Sequence, residues 1–223
     1  MTPPVPRSQT VEDYLKEIYS LGERDPEAVT TSGLSQRLGL SASSVSGMLR
    51  KLVAQDLIEH RPYGGITLTD AGRAGALAVV RRHRLVEMFL VARLGYGWDE
   101  VHDEAEILEH AVSELLVERI DVALGRPRFD PHGDPIPDAT GDVPVLDAIR
   151  LADLPPGITG RVVRADDRDP RVLQHLTRLG IALGDTMTVV EELPFDGGRL
   201  IRTDNGTHSF PPTLAASLWI TPT

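Results

Sequence analysis

Residues 30–58 read TTSGLSQRLGLSASSVSGMLRKLVAQDLI, and the apolar positions in this stretch recur at helical spacing. Hydroxyl side chains stand at its breaks, so we expect Thr31 or Ser32 to begin one helix and Ser41 the next. A further apolar block at residues 11–21, VEDYLKEIYSL, precedes them and predicts another helix. In the last of the three helices, the residues expected to face inward are Val45, Met48, Leu49, Leu52 and Val53.

A β-hairpin is expected directly after these helices. Residues 57–69 read LIEHRPYGGITLT and alternate between apolar and polar side chains around a turn at 63–65. Three helices and a hairpin in this order predict a winged helix-turn-helix DNA-binding domain, which we assign to residues 1–72. Small hydroxyl residues and cations fill the outward face of the third helix, and one arginine lies in the wing. The residues expected to contact DNA are Ser41, Ser43, Ser44, Ser46, Arg50, Lys51 and Arg61.

The composition is that of a globular protein without cysteine chemistry. Its 223 residues are 41% hydrophobic and 25% charged, and none is cysteine, which excludes disulfides, cysteine-based zinc fingers and thiol nucleophiles. No apolar run approaches the roughly 18 residues of a membrane span, and the opening MTPPVPRSQT lacks the apolar middle of a signal peptide. We therefore expect a cytoplasmic protein with no membrane partner. The net charge of −10 argues against unspecific nucleic-acid coating, although residues 1–80 are nearly neutral and can present a basic face.

The rest of the chain predicts helices followed by a small β domain. Thr69 is expected to cap a helix from Asp70 to about Leu94, and a second helix is expected from about Trp98 to Leu124. Seven of the 17 prolines then fall within residues 127–156, which indicates a linker. Beyond it, short β-rich runs and one helical block at 170–179 predict an SH3-like β-barrel. The expected fold is mainly α with a small β domain.

A group of carboxylates and histidines predicts a metal site. Residues 99–109 contain six carboxylates and neither lysine nor arginine, and a bound cation would relieve their mutual repulsion. Two histidines and two glutamates of this region share one sector of a helix surface, and the preceding helix adds a His–Glu pair at i, i+4. Together they predict a nitrogen and oxygen site for one or two divalent cations: His83, Glu87, His102, Glu106, Glu109 and His110.

The chain resembles the DtxR/MntR family of metal-dependent transcriptional repressors in its three-domain form. The resemblance is carried by TVEDYLKEIYSL at 10–21, LTDAGR at 68–73, RRHRLVEMFL at 81–90, VHDEAEILEH at 101–110 and HGDPIP at 132–137. It implies a winged helix-turn-helix domain, a helical dimerisation and metal-binding domain at 73–143, and an SH3-like, FeoA-like domain at 144–223. It also implies a homodimer that binds a palindromic double-stranded DNA operator and controls metal-homeostasis genes.

The family's ligands carry over to this chain by motif. The primary regulatory metal would be held by Asp13, Glu106, Glu109 and His110, and an ancillary metal by His83, Glu87 and His102. Asp169 is added in the C-terminal domain, where the iron-responsive branch has a glutamate ligand. That branch has methionine at the position of Asp13 and cysteine at that of Glu106. Because carboxylate and imidazole suit Mn²⁺, we expect Mn²⁺ in preference to Fe²⁺, with one or two ions per subunit.

Three other interpretations stay open at this point. The chain could be an Fe²⁺-dependent repressor of iron-uptake genes, a metal-dependent hydrolase using His102, Glu106 and His110, or a winged-helix regulator that senses a small molecule without metal. An apolar stripe near the metal residues is expected to serve partly as core and partly as subunit interface. Its residues are Ala105, Leu108, Ala111, Val112, Leu115 and Leu116.

Overall fold

The structure is a computed structural model that describes residues 8–24, 27, 29–61, 65–194 and 197–223. The chain divides into two compact units. The first unit comprises the chain up to His83 together with Pro137–Asp142, and the second comprises Arg84–Ile136 and Val143–Thr223.

The first unit contains the helix-turn-helix and its hairpin. Its elements are α1 (Gln9–Arg24), α2 (Thr31–Leu38), α3 (Ala42–Ala54), β1 (Ile58–His60), β2 (Ile66–Leu68) and the greater part of α4 (Asp70–Phe89). Strands β1 and β2 pair antiparallel, with Ile58 opposite Leu68. The turn predicted at 63–65 falls mostly on residues 62–64, which lie outside the described residues.

Side-chain caps set the helix boundaries of this unit. Thr30, one residue earlier than expected, caps α2 by accepting a hydrogen bond from the Gly33 amide at 3.0 Å. Ser41 caps α3 as predicted and accepts from the Ser44 amide at 3.2 Å. On α3, Val45, Leu49 and Leu52 are completely buried as expected, and Met48 is half-buried. Val53 is exposed, contrary to its expected inward position.

The helical part of the second unit differs from the predicted single helix between Trp98 and Leu124. Helix α4 continues into a π turn at Leu90–Leu94 and is followed by α5 (Val101–Leu108) and α6 (Glu114–Ala123). The break lies at Ser113, whose backbone is extended and whose hydroxyl accepts a hydrogen bond from the Leu116 amide at 3.3 Å. A new N-cap therefore interrupts a pattern whose apolar spacing runs on through the break.

The C-terminal part of the second unit is an open antiparallel sheet. Its strands are β3 (Ile149–Arg150), β4 (Thr159–Ala165), β5 (Thr186–Glu192), β6 (Arg199–Thr203), β7 (Gly206–Phe210) and β8 (Leu218–Pro222), in the order β3-β8-β4-β5-β6-β7. Helices α7 (Pro170–Arg178) and α8 (Pro212–Ala215) accompany it. The predicted SH3-like architecture is present, but the sheet does not close into a barrel, since β3 and β7 remain edges.

The proline-rich segment is packed over residues 132–137, whereas residues 138–148 form no helix or strand and are half-buried or exposed, as expected of a linker. Residues 132–137 are all buried, although they form no helix and only one isolated β-bridge, between Phe129 and Pro135. The side chains of Arg81 and Arg84 donate to the carbonyls of Pro137 and Pro135, respectively. Within the described part of the chain, no helix combines the length and the apolar character needed to cross a membrane.

Candidate metal centre

Four side chains of the second unit direct nitrogen and oxygen atoms toward one another. Glu87 lies on α4, His102 on α5, His132 in the proline-rich segment and Asp167 just after β4. The Nδ1 atom of His102 lies 3.2 Å from Glu87 Oε1 and 3.4 Å from Asp167 Oδ2. The Nδ1 atom of His132 lies 3.7 Å from Glu87 Oε2 and 4.0 Å from Asp167 Oδ2. We refer to these four residues as the four-donor cluster.

Three donors of the cluster are close enough for a single metal ion. One donor atom each from Glu87, His132 and Asp167 lie within 4.8 Å of one another, and Nδ1 of His102 lies beside Glu87 and Asp167. Imidazoles and carboxylates are donors suited to first-row divalent cations. The cluster therefore offers Glu87, His132 and Asp167 as donors for a divalent cation, with His102 beside them.

His132 is held so that one ring nitrogen faces the cluster. Its Nε2–H donates a hydrogen bond to the Trp98 carbonyl at 2.6 Å, and its own carbonyl accepts from the Ala165 amide at 2.9 Å. The side chain is completely buried, and among the described residues Nδ1 has no hydrogen-bond partner. A metal-bound histidine usually donates its second N–H to a carbonyl or carboxylate in this way. The arrangement leaves Nδ1 available as a ligand atom.

Charge in the cluster requires compensation. Burial lowers the pKa of His132, but the neighbouring carboxylates, those of Glu87, Asp130 and Asp167, raise that pKa to about 10. In the absence of another cation, His132 therefore carries a proton at neutral pH. A proton on Nδ1 and a divalent cation are alternative countercharges for the same carboxylates, so metal binding must release this proton.

A second group of buried charges lies beside the cluster. The Nε atom of Arg84 lies 3.8 Å from Asp130 Oδ2, and its Nη2 lies 3.8 Å from Asp134 Oδ1. Arg164 forms an ion pair with Asp134 and lies over the Trp219 ring, with Cζ 4.7 Å from its centre. Burial and the neighbouring carboxylates raise the pKa of Asp130. The carboxylate of Glu87 is among the charges that raise it, so this group is electrostatically linked to the four-donor cluster.

The predicted metal residues of the second unit are partly brought together. Glu87 and His102 are in contact, and the second nitrogen of His102 lies 3.5 Å from Glu106 Oε1. At the end of α5, the Nε2 atom of His110 lies 3.3 Å from Oε1 of the completely buried Glu109. Glu87 and Glu106 thus place one carboxylate near each ring nitrogen of His102.

The remaining predicted ligands are Asp13, His83 and Asp169. Asp13 on α1 and the buried His83 on α4 belong to the first unit, so both predicted ligand sets are divided between the units and stay predictions. Asp169 caps α7, where its carboxylate accepts from the Arg171 amide and pairs with the Arg171 guanidinium at 2.7 Å. This ion pair and the cap hold the pKa of Asp169 below its usual value. Its role as a ligand also stays a prediction.

Sequence reasoning missed two members of the four-donor cluster. His132 stands in the HGDPIP motif, and it is the one histidine of the proline-rich segment at 127–156. That isolation was a usable signal, since a histidine among prolines serves no helical face. Asp167 lies two residues before Asp169 in the run ADDRD, and nothing in the run distinguishes one aspartate from the next. Only the position of the loop after β4 selects Asp167.

The residues predicted to contact DNA lie on α3 and at the end of β1. The hydroxyl of Ser41 lies 2.9 Å from those of Ser43 and Ser44, and Ser46 donates back to the Ala42 carbonyl at 2.8 Å. The remaining three are exposed cations: Arg50, Lys51 and Arg61. The first turn of α3 thus presents small, exposed hydroxyl groups beside positive charge, as expected for a helix that enters the major groove. The individual DNA contacts stay predictions.

Comparison with known proteins identifies the family. The family model "Iron dependent repressor, N-terminal DNA binding domain" matches residues 8–66, "Iron dependent repressor, metal binding and dimerisation domain" matches 69–138, and "FeoA domain" matches 149–222. The diphtheria toxin repressor of Corynebacterium glutamicum is 31% identical over 209 residues, which are 89% of each chain. The chain belongs to the DtxR/MntR family of metal-dependent repressors. The family recognised from VHDEAEILEH is thereby confirmed.

Two further repressors are similar to the chain in sequence or structure. The iron-dependent repressor IdeR of Mycobacterium tuberculosis is 37% identical over 163 residues, covering 69% of this chain and 70% of the relative. A solved structure of a manganese-dependent transcriptional repressor in complex with manganese is 46% identical, with a TM-score of 0.91, and the match covers 96% of this chain and 100% of that one. In the family's terms, Glu87, His102 and His132 belong to the metal-binding and dimerisation domain, and Asp167 belongs to the FeoA domain.

The dimerisation domain of this DtxR/MntR repressor exposes an apolar face. Of the stripe predicted from sequence, Ala105 is buried and Val112 packs against the core, whereas Leu115 is 68% exposed. The large apolar side chains exposed on α5 and α6 are Ile107, Leu115, Leu116 and Val122. The stripe is therefore divided between core and surface, and exposed apolar patches of this kind are typical of subunit interfaces.

Proposed function

We propose that the chain is a Mn²⁺-responsive transcriptional repressor that binds a palindromic operator as a homodimer and controls metal-homeostasis genes. The observation that carries the proposal is the four-donor cluster, which joins the dimerisation domain to the FeoA domain through nitrogen and oxygen donors. A bound ion would be held by Glu87, His132 and Asp167 and would supply the positive charge that balances the two carboxylates. The hydrogen bonds to the Trp98 carbonyl and from the Ala165 amide orient His132, whose proton would be released on metal binding.

The donor types support Mn²⁺ as the ion. The cluster contains carboxylates and imidazoles, and the chain contains no cysteine that could supply a softer thiolate. The solved relative with the TM-score of 0.91 is a manganese-dependent repressor with manganese bound. An Fe²⁺-dependent repressor is the second candidate, because the M. tuberculosis relative is an iron-dependent repressor. Since both ions accept these donors, their discrimination depends on geometry and availability.

The family match favours regulation over catalysis. The family models that match residues 8–66 and 69–138 describe the DNA-binding domain and the metal-binding and dimerisation domain of iron-dependent repressors. We therefore assign the cluster to metal sensing rather than hydrolysis.

Operator binding is assigned to α3 and dimer formation to the apolar face on α5 and α6. A two-fold dimer places its recognition helices in successive major grooves, about 34 to 36 Å apart or a multiple of that, which requires a palindromic operator. The Arg50 and Lys51 side chains supply phosphate contacts. The exposed Leu115 and Ile107 are expected to be buried in the dimer.

The experiment that tests the proposal compares wild-type protein with His132→Ala. Mn²⁺ titrations followed by the EPR signal of unbound Mn²⁺ should reveal fewer bound ions in the variant, and its operator binding should need more Mn²⁺ in mobility-shift assays. His175→Ala, which removes an imidazole from α7 outside the cluster, is the matched control and should behave as wild type. Parallel anaerobic titrations with Fe²⁺ test the second candidate. Unchanged ion number and metal dependence in His132→Ala would overturn the assignment of the cluster.

A further inference from the structure

The His132 ligand is presented by a compact turn. We call residues Asp130–Asp134 the His132 turn. The Asp130 amide donates to the Asp134 carbonyl at 2.9 Å, and the Gly133 amide donates to the Asp130 carbonyl at 3.1 Å. The carboxylate oxygen Oδ1 of Asp130 accepts two backbone hydrogen bonds, from the His132 amide at 2.8 Å and the Asp134 amide at 2.9 Å. One carboxylate thus closes the turn around the histidine.

Asp130 completes the set of contacts that fix His132. Its carboxylate holds the His132 amide, the Ala165 amide holds the His132 carbonyl, and the Trp98 carbonyl holds the Nε2–H. With backbone and ring restrained in this way, Nδ1 is the ring atom left facing Glu87 and Asp167. Hydrogen bonds from neighbouring groups to a metal ligand orient that ligand, and loss of such a bond commonly weakens metal affinity about 10- to 100-fold.

The chain contains the same turn a second time without a histidine. We call residues Asp138–Asp142 the Thr140 turn, which lies in the first unit. The Oδ1 atom of Asp138 accepts from the Thr140 amide at 2.8 Å and the Asp142 amide at 3.0 Å, and the Asp138 amide donates to the Asp142 carbonyl at 2.8 Å. Both turns share the pattern Asp-x-x-Gly-Asp with a left-handed glycine, φ 85° in one and 87° in the other.

Comparison of the two turns shows which features belong to the turn itself and which belong to the cluster. Because an aspartate closes both, the turn itself needs no metal. What distinguishes the His132 turn is its third residue and its burial: Asp130 is buried, whereas Asp138 is exposed. We propose that Asp130 is a positioning residue of the metal centre, which holds the His132 ring with Nδ1 toward Glu87 and Asp167. The inference rests on the proposed function in taking His132 as a ligand.

The test measures Mn²⁺ binding by full-length protein through the EPR signal of unbound Mn²⁺. His132→Ala first identifies the ion that belongs to the cluster. Asp130→Ala should weaken binding of that ion about 10- to 100-fold. Asp130→Asn should bind it as wild type does, because the asparagine carbonyl oxygen accepts the same two amide hydrogen bonds. Asp138→Ala, the matched control, should leave the affinity of this ion unchanged.

The outcomes distinguish the inference from the function on which it rests. If His132→Ala changes nothing, the proposed metal centre is wrong. If His132→Ala removes the ion while Asp130→Ala binds like wild type, the positioning role is wrong. If Asp130→Asn and Asp130→Ala lose the same Mn²⁺ affinity, the effect belongs to the negative charge facing Arg84. If Asp138→Ala loses as much Mn²⁺ affinity as Asp130→Ala, the effect is general destabilisation. Either result overturns the inference.

A second variant covers failure of Asp130→Ala to fold, as judged by circular dichroism. Asp130→Ser keeps a shorter hydroxyl acceptor that forms the same kind of turn more weakly. A folded serine variant should bind the ion less tightly than Asp130→Asn and release it at lower chelator concentration. Wild-type affinity in a folded serine variant would contradict the positioning role.

Discussion

Replacement of Gly133 by alanine should destabilise the second unit far more than the same change at Gly157. Both glycines have left-handed backbones, with φ of 85° and 84°, so alanine meets the same conformational penalty of about 1–2 kcal/mol at each. Their surroundings differ. A Cβ at Gly133 would lie 2.0 Å from the Val163 carbonyl oxygen and 2.8 Å from Arg164 Cα, whereas at Gly157 nothing lies within 4 Å.

The clash at Gly133 cannot be relieved by a side-chain rotation. The opposing atoms belong to the backbone of β4, which pairs with β8 on both sides of Val163, at Val162 and Arg164. Moving either partner by the required distance of about 1 Å resembles overpacking of a core, which typically costs about 1–3 kcal/mol. The predicted difference in unfolding free energy between Gly133→Ala and Gly157→Ala is therefore about 1–3 kcal/mol.

Urea unfolding followed by tryptophan fluorescence measures this difference. The chain has two tryptophans, Trp98 and Trp219, and both belong to the second unit, so the fluorescence reports on the unit that carries both substitutions. Metal should be removed with chelator, so that the measurement reflects folding rather than ion affinity. Equal losses in the two variants would show that the approach of Gly133 to β4 contributes nothing, and the close packing of the His132 turn on the sheet would be refuted.

Two further predictions concern helix ends in the second unit. Ser113→Ala should lower the unfolding free energy by about 1 kcal/mol, since the Leu116 amide loses its acceptor. Ser113→Asp supplies a carboxylate acceptor and should keep the wild-type unfolding free energy. Equal stability of wild type and both variants would contradict the cap. Asp169, whose pKa is held below the ordinary 3.8 by Arg171, should stabilise α7 at neutral pH and lose this effect only as the pH falls through the lowered pKa. Carbon NMR titration of the Asp169 carboxyl checks the direction, and a midpoint at or above 3.8 would exclude the interaction.

The elements that sequence predicted well are those set by neighbouring residues. Ser41 caps α3 because its hydroxyl reaches an amide three residues ahead, and the buried Val45, Leu49 and Leu52 follow from helical spacing alone. The same reasoning missed the break at Ser113, since Val112 and Leu116 continue the apolar spacing across it. A cap and a continuing apolar pattern compete at that point, and the local hydrogen bond determines the outcome.

The four-donor cluster was predictable only where its residues lie on helices. Glu87 and His102 stand in regular helical patterns that draw attention to their faces. His132 and Asp167 stand in loops, where no period relates one residue to the next. Their meeting depends on the docking of the His132 turn on β4, through the Ala165 amide and the Gly133 backbone. Such contacts between distant segments leave no mark in local spacing.

The open sheet leaves β7 as an edge whose own sequence limits growth. This strand has only five residues, GTHSF, and its first is a glycine with φ of 133°. Two prolines, Pro211 and Pro212, follow it immediately and offer no amide to an incoming strand. An incoming strand of a second molecule therefore cannot extend its pairing beyond Phe210. Replacing both prolines would lengthen the edge open to pairing without changing any residue of the four-donor cluster.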